Sequence, residues 1–249
     1  MIRKGAIWAF IPARFGSKSI KDKNIKKFCG KPLIYYTFDI LKYLRIKNII
    51  FSSNSIKYIK LAKKKYDFET HFRSEKNSRD LSTDLEVFKE FIEIKKKQKI
   101  DLPEFFLHLR PTTPFRRPNI IKKAIKTFIK VKKNYTSLRS ISKLSNTGYR
   151  CLIIKKKILH SLYKENPNLD GLNIARQNFR DTYIANGYVD IVKTETLIKN
   201  KIHGNKVFPF LTKDFNSDID TLEDFKNFEK ILKNNVHFKK YFFYSGNRY

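Results

Sequence analysis

Short apolar runs alternate with segments of helical periodicity through the first part of the chain. The runs at 6–11 and 49–51 are almost wholly apolar, as expected of strands that are buried on both faces of a parallel sheet. Apolar residues at helical spacing follow each run, over 32–44 and 56–66, and the Ser and Asn residues before the second of these segments can cap a helix. This alternation indicates βαβ units.

The alternation continues beyond an irregular stretch over 67–82. In chain order, the pattern predicts a helix over 84–97, a strand over 104–109, a helix over 119–131, and strand-then-helix pairs over 188–198 and 217–232. Two further strands, 137–144 and 149–157, are expected to pair as a hairpin around Asn146-Thr147-Gly148.

Periodicity is weak from His160 to Ala185, where a minimal Rossmann unit has no counterpart. We therefore expect an insertion over about 138–184, within a single α/β domain that spans residues 1–249. The predicted fold is a Rossmann-like mixed, mostly parallel sheet flanked by helices. The aromatic end of the chain, residues 237–249, has no predicted place in this fold.

The composition is that of a folded protein. The chain has 249 residues, of which 41% are hydrophobic and 14% aromatic, and this excludes a disordered protein. No apolar run approaches the roughly 20 residues that cross a bilayer, and the N-terminus has no cleavable leader pattern, so we expect a cytoplasmic protein. Cys29 and Cys151 are isolated, which gives no support to a zinc site or a disulfide framework.

A formal charge of +31 raises the alternative of a nucleic-acid-binding protein. Lysine is distributed over nearly every segment, and it does not form one stripe interleaved with aromatic residues. A general compositional bias towards Lys, Asn and Ile explains this distribution better than a nucleic-acid surface does.

The loop after the first predicted strand, IPARFGSKSIKDKN, concentrates positive charge. It contains Arg14, Lys18, Lys21 and Lys23, and it lies at the carboxyl edge, where open α/β sheets bind ligands. Gly16 and Ser17 allow close approach of the backbone, and an arginine can bind two phosphate oxygens at once. A triphosphate would satisfy this set, although the P-loop and G-x-G-x-x-G patterns are both absent. The alternative is a solvated basic loop.

A pair of aspartates near the far end of the chain could bind a metal ion. Asp218 and Asp220 are two residues apart in SDIDTLEDF, so on a strand both carboxylates would point to one face. Mg²⁺ prefers a few hard oxygen ligands together with substrate phosphates. Thr221 and Asp224 match a capping box, so the alternative is that Asp220 only helps a helix begin.

Two further segments carry weaker signals. LRPTTPFRRP could offer hydroxyls and backbone amides to a base or a sugar, or it could be a plain turn. IARQNFRDTYIANGYVDI contains Arg176 and Gln177, which suit a carboxylate and a sugar hydroxyl, or it could be a surface loop.

Taken in order, these motifs and RDLSTD resemble those of the acylneuraminate cytidylyltransferases, the CMP-sialic acid synthetases and their bacterial relatives for other nonulosonic acids. The resemblance spans residues 7–232. It implies a homodimer built through the insertion, which would also contribute to the acceptor site. The implied reaction joins CTP and an acidic nine-carbon sugar into a CMP-sugar for cell-surface polysaccharides, with release of pyrophosphate.

The resemblance also assigns roles to residues. CTP would be held by Arg14, Ser17, Lys18, Lys21 and Asn24, with Arg73 or Arg79 and Arg110 also near the nucleotide. The acceptor would contact Arg176, Gln177, Tyr183 and Asn186. Mg²⁺ would be bound by Asp218 and Asp220, and catalysis would rest on Lys21, Arg14 and these two aspartates.

Two positions depart from the family pattern and leave the acceptor pocket less defined. Arg110 stands where many relatives have Gln, and Asn54 stands where Asp is common, so that Asn54 could serve as a cap. Other acceptors, such as an eight-carbon acid of lipopolysaccharide or a sugar 1-phosphate, stay open.

Overall fold

A central seven-stranded sheet organises the protein. The computed structural model describes residues 6–163, 168–213 and 218–234. The strands of this sheet are β1 (Ile7–Pro12), β4 (Ile49–Ser53), β5 (Glu69–Phe72), β6 (Phe105–His108), β7 (Ser137–Lys143), β10 (Tyr183–Lys193) and β11 (Val207–Leu211). Their order across the sheet is β11-β7-β10-β6-β1-β4-β5. Only β10 runs antiparallel to its neighbours, so the expected mixed, mostly parallel sheet is confirmed.

Two small ribbons stand apart from the sheet. Strands β2 (Lys27–Phe28) and β3 (Lys31–Pro32) pair with each other, and so do β8 (Leu152–Lys155) and β9 (Ile158–Ser161).

Six helices flank the sheet in the part of the chain that is described. They are α1 (Leu33–Tyr43), α2 (Ile56–Lys63), α3 (Asp84–Lys97), α4 (Pro118–Val131), α5 (Thr194–Ile198) and α6 (Leu222–Asn234). Thr83 and Glu86 begin α3 with a complete capping box, which satisfies two backbone donors reciprocally. Ser55 caps α2 by accepting from the Tyr58 backbone N–H, as predicted for this stretch.

The sheet is covered on both faces, which explains its continuous apolar strands. Ala9 and Ile11 of β1 lie in one buried cluster with residues of α1, α2 and α4. Phe10, between them, lies in a second cluster with α3 and Leu197 of α5. Full burial of a side chain such as Ile11 or Phe10 contributes about 1.5–3 kcal/mol to the free energy of folding.

A third cluster joins the loop after β1 to residues within 219–232. Ile20 from that loop, Phe28 and Phe115 pack with Ile219 and Phe225. This contact brings two segments about 200 residues apart in sequence to the same edge of the sheet.

Several local predictions were wrong. Strand β7 does not form a hairpin with the following strand, because β7 pairs with β10 and β11, whereas β8 pairs with β9. Strand β5 lies within the stretch expected to be irregular, and β11 was not anticipated. Residues 218–220 are not a strand; Ser217 and the aromatic end at 237–249 lie outside the described residues.

The range predicted as an insertion begins inside β7. The chain leaves the sheet after Lys143, and the Leu144 N–H bonds to the Thr182 carbonyl where the chain returns to β10. Residues 144–182, here termed the excursion, include the β8–β9 ribbon. No helix of the described chain is both long and apolar enough to cross a membrane.

Candidate functional site

A cleft of about 470 Å³ opens at the carboxyl ends of β1, β5 and β6. Its charged lining residues among those described are Arg14, Lys18, Lys23, Arg73, Arg110, Asp80 and Asp84. Five cations face two carboxylates, so the lining carries an excess of three positive charges. We term this the basic cleft, and its charge is suited to a polyanion.

Hydrogen bonds to its backbone shape the loop after β1. The buried Asn24 amide donates to the Arg14 carbonyl at 3.0 Å, and the Phe15 N–H donates to Asn54 Oδ1 at 2.8 Å. Asn24 and Asn54 therefore hold the loop in place, and the cap of α2 falls to Ser55 instead of Asn54. Gly16 has a φ of +89°, a conformation that favours glycine.

The two cations at the mouth of the cleft share one carboxylate. Arg14 Nη1 and Lys18 Nζ each lie 2.6 Å from an oxygen of Asp80. The hydrogen bonds from Lys18 and Arg14 hold the pKa of the Asp80 carboxyl below its usual range. Ser17 lines the same cleft.

Of the neighbouring Lys21 and Lys23, the structure brings Lys23 into the cleft. Its side chain is only 12% exposed, with Nζ 3.6 Å from Asp220 Oδ1 and donating to the Ile219 carbonyl at 2.9 Å. Lys21 is exposed and does not line the cleft. The burial of Ile20 and Asn24 directs the short helical turn Lys23–Ile25 inward, and this turn was not evident from sequence.

Arg73 supplies a nearly buried guanidinium to the cleft, since the residue is 5% exposed. Its Nε donates to Ser52 Oγ at 2.9 Å. Burial lowers the pKa of Arg73 to about 10, so the group stays cationic at neutral pH. Arg79 is exposed and is not part of the lining, which favours Arg73 in the choice that the sequence left open.

Arg110 is held between two carboxylates. Its Nε and Nη2 donate to Asp84 Oδ2 at 3.0 and 2.6 Å, and its Nη1 donates to Asp190 Oδ2 at 3.3 Å. Burial alone would lower the pKa of Arg110, but Asp84 and Asp190 raise it above its usual value. The fork fixes the guanidinium at the base of the cleft and neutralises most of its charge.

The two predicted metal ligands flank a buried anchor. Ile219 is fully buried, and its N–H bonds to the Thr112 carbonyl at 2.8 Å. Asp218 Oδ1 lies 3.5 Å from Thr113 Oγ1, while the exposed Asp220 lies beside Lys23. Because residues 218–220 are not a strand, the expectation that both carboxylates share one face on a strand was wrong.

The residues at this rim nonetheless suit Mg²⁺. The Asp220 side chain is 75% exposed, so its oxygens can accept an ion, and Mg²⁺ needs only one or two carboxylates when phosphates complete its shell. The described chain contains no preformed cluster of three metal-ligating side chains. The capping box between Thr221 and Asp224 is present and leaves the Asp220 carboxylate uncommitted to the helix.

The predicted acceptor residues do not gather at the basic cleft. Asn186 is buried and donates to Ser142 Oγ and Thr212 Oγ1, each at 2.7 Å. Tyr183 is 46% exposed on β10. Arg176 and Gln177 are exposed in the excursion. They do not line the second cleft of about 470 Å³, whose lining includes Tyr149, Tyr163, Phe179 and Arg180.

Arg116 is a structural residue that sequence reasoning missed. It is fully buried, and it donates to the carbonyls of Tyr188, Arg110 and Gly187 at 2.6–3.0 Å. It thereby ties the turn after β6 to the bulge in β10. The Arg-Arg pair in PFRRP was the available signal, although nothing in the sequence separates a clamp from a solvated charge.

Comparison with known proteins identifies this architecture. The sequence model of the cytidylyltransferase family matches residues 8–244. A CMP-N,N'-diacetyllegionaminic acid synthase of Legionella pneumophila is 30% identical over 246 residues, covering 92% of this chain and 97% of that protein. An N-acylneuraminate cytidylyltransferase of Streptococcus agalactiae is 27% identical over 228 residues, 86% of this chain, which spans about half (50%) of that relative.

Solved structures agree on the fold. A CMP:2-keto-3-deoxy-manno-octonic acid synthetase complexed with CTP superposes with a TM-score of 0.62 at 12% identity, covering 91% of this chain and 98% of that one. At this identity the likeness concerns the fold alone. With the family match over nearly the whole length, the chain belongs to the cytidylyltransferase family.

Proposed function

We propose that this protein transfers CMP from CTP to the anomeric hydroxyl of a nonulosonic acid and releases pyrophosphate. One observation carries the proposal: five cationic side chains converge on one cleft at the carboxyl edge of a mostly parallel sheet. A triphosphate supplies the complementary charge, and the edge is where such folds bind nucleotides.

In the proposed reaction the anomeric oxygen attacks the α-phosphorus of CTP. The bond between that phosphorus and the bridging oxygen to the β-phosphate breaks, pyrophosphate takes the electron pair, and the hydroxyl proton passes to water. Arg14, Lys18 and Lys23 would stabilise the phosphate charge that grows in the transition state. To reach Arg14 and Lys18, the triphosphate must displace Asp80.

Magnesium fits this proposal as a cofactor. Asp218, beside Thr113, and Asp220, beside Lys23, would hold the ion at the rim. When bound, Mg²⁺ would neutralise phosphate oxygens and orient the triphosphate. The protein's own part is to orient the substrates, since Ile219 fixes this rim against the loop after β1.

A nonulosonic acid is the acceptor that the relatives favour. The Legionella relative, matched over 97% of its length, is named for CMP-N,N'-diacetyllegionaminic acid, and a 36% identical relative from Campylobacter jejuni, matched over 48% of this chain and 51% of its own length, is named pseudaminic acid cytidylyltransferase. The exposed Arg176 and Gln177 could bind the carboxylate and a hydroxyl of such an acid.

We further propose that two copies associate through the excursion. Large apolar side chains are exposed there, among them Ile154 at 75%, Ile158 at 57% and Leu162 at 55%. Such a patch is typical of an interaction site. Association of two copies would also bring acceptor-binding residues that lie away from the basic cleft towards the cleft of the other copy.

The direct test is a pyrophosphate-release assay with Mg²⁺. CTP, UTP, ATP and GTP would each be paired with neuraminic, legionaminic and pseudaminic acids, an eight-carbon acid and sugar 1-phosphates. The products would be identified by mass spectrometry. We expect release only with CTP and a nine-carbon acid. Turnover only with an eight-carbon acid or a sugar 1-phosphate would show that this compound, and not a nonulosonic acid, is the acceptor. No turnover with any pair would reject the proposal.

A further inference from the structure

A line of polar side chains lies behind Arg73 and has no part in the reaction above. It consists of the buried Ser52 in β4 and His71 in β5, and of the partly buried Glu90 in α3. Ser52 is 0% exposed and His71 is 3% exposed, and burying such groups costs free energy unless they are hydrogen-bonded. Their arrangement therefore needs an explanation that reaches beyond packing.

Hydrogen-bonding distances connect Arg73 to His71. Arg73 Nε lies 2.9 Å from Ser52 Oγ, and Ser52 Oγ lies 3.0 Å from His71 Nδ1. At the far side, His71 Nε2 lies 3.5 Å from Glu90 Oε2, where neither atom makes a hydrogen bond within the described chain. The other oxygen of Glu90 accepts from the Ser74 N–H at 2.9 Å, which ties the path back to the residue after Arg73.

Donors and acceptors on this path are assigned from their chemistry. A guanidinium can only donate, so Ser52 Oγ accepts from Arg73 and has its single hydrogen left to donate. We assign that hydrogen to His71 Nδ1, which makes Nδ1 the unprotonated nitrogen. His71 then carries its proton on Nε2, facing Glu90. Burial lowers the pKa of His71 to about 4, which keeps the ring neutral at neutral pH.

We propose that Ser52 and His71 are positioning residues that fix the Arg73 guanidinium for the bound nucleotide. The hydrogen bond from Arg73 to Ser52 uses Nε, while the residue itself lines the basic cleft. An arginine that is held in one rotamer loses less entropy when it binds an anion. This inference rests on the proposed function, because it assigns Arg73 to that substrate.

The test compares two neighbouring serines. Ser52→Ala removes the acceptor of Arg73, whereas Ser53→Ala removes an equally buried hydroxyl that accepts from the Ser55 N–H. We expect Ser52→Ala to raise the KM for CTP about tenfold or more, the scale for a hydrogen bond to a charged group, with kcat much less affected. Ser53→Ala should leave this KM unchanged. An unchanged KM in Ser52→Ala would overturn the inference.

Variants of His71 extend the test and carry it alone if Ser52→Ala does not fold. His71→Asn keeps an acceptor for the Ser52 hydroxyl and should leave the KM for CTP within about threefold of wild type, whereas His71→Leu should raise it as Ser52→Ala does. Equal effects of the two His71 variants would contradict the assignment.

A double-mutant cycle separates positioning from general stability. In an Arg73→Lys background, Ser52→Ala should have little further effect on CTP binding measured by calorimetry, because its target is gone. The same additional loss in both backgrounds would mean that Ser52 acts independently of Arg73. Wild-type protein that does not bind CTP would reject the proposed function and this inference together, whereas wild-type binding with an unchanged Ser52→Ala variant rejects the inference alone.

Discussion

The basic cleft and the excursion differ in how completely the chain itself organises them. In the cleft, Arg73 and Arg110 are fixed by buried partners, and Lys23 is held by a backbone carbonyl. In the excursion, Arg176 and Gln177 are exposed, and so is an apolar ribbon. The cleft is preorganised for an anion within one chain, whereas the excursion leaves its polar and apolar side chains exposed.

This contrast separates two kinds of substrate recognition. Fixed cations stabilise developing charge without reorganisation at the moment of reaction, which suits a triphosphate. An exposed, assembled surface can vary with the acceptor. We therefore expect changes in the cleft to alter turnover and changes in the excursion to alter acceptor affinity.

The largest difference is expected between two lysine variants of the loop after β1. Lys23→Ala should lower kcat by about 100-fold or more, the scale for losing one preorganised electrostatic contact. Lys21→Ala, which removes the same charge from an exposed position, should have less than about a threefold effect. Steady-state kinetics with CTP at saturating acceptor measures both, and the reverse order would return the catalytic role to Lys21.

Acid should destabilise the protein through the buried His108 of β6. Burial lowers the pKa of His108 to about 4, below its usual 6.5. Between these two pH values, the unfolded chain binds a proton at His108 and the folded chain does not. Stability is therefore retained above pH 6.5 and lost as pH falls from 6.5 towards 4, by on the order of 3 kcal/mol for this group. Urea unfolding across this range should show a smaller loss for His108→Gln. An equal pH dependence in the variant would exclude His108 as the cause.

Charge introduced into the excursion should act through association. Ile154→Glu places a carboxylate on the exposed ribbon, and we expect it to yield monomers and to raise the KM for the acceptor about tenfold, with the KM for CTP unchanged. Ile56→Glu, at a 60% exposed site on α2, is the matched control. Sedimentation velocity and kinetics together provide the measurement; a monomeric wild type would contradict this part of the account.

The smallest expected effect concerns the carboxylate at the mouth of the cleft. Asp80→Asn frees Arg14 and Lys18 from their ion pairs, so the triphosphate no longer competes with an internal anion. The KM for CTP should fall about two- to fivefold, the scale of an exposed ion pair, and the difference should shrink at high salt. A higher KM would show that Asp80 contributes to binding.

The sequence predicted most of the sheet and the basic loop, because apolar runs and clustered cations are local signals. It did not distinguish Lys21 from Lys23, since the inward turn depends on the packing of Ile20 against Phe28 and Ile219. The pairing of β7 with β10 and β11 depends on contacts distant in the chain. The clamp by Arg116 and the path behind Arg73 are likewise tertiary features that leave no periodic pattern.

The most direct test of the central claim is a crystal structure of the protein with CTP and Mg²⁺. The account predicts that the triphosphate lies between the loop after β1 and residues 218–220, within hydrogen-bonding distance of Arg14, Lys18 and Lys23, with Asp80 displaced. A triphosphate bound elsewhere, with the ion pairs of Asp80 intact, would contradict it.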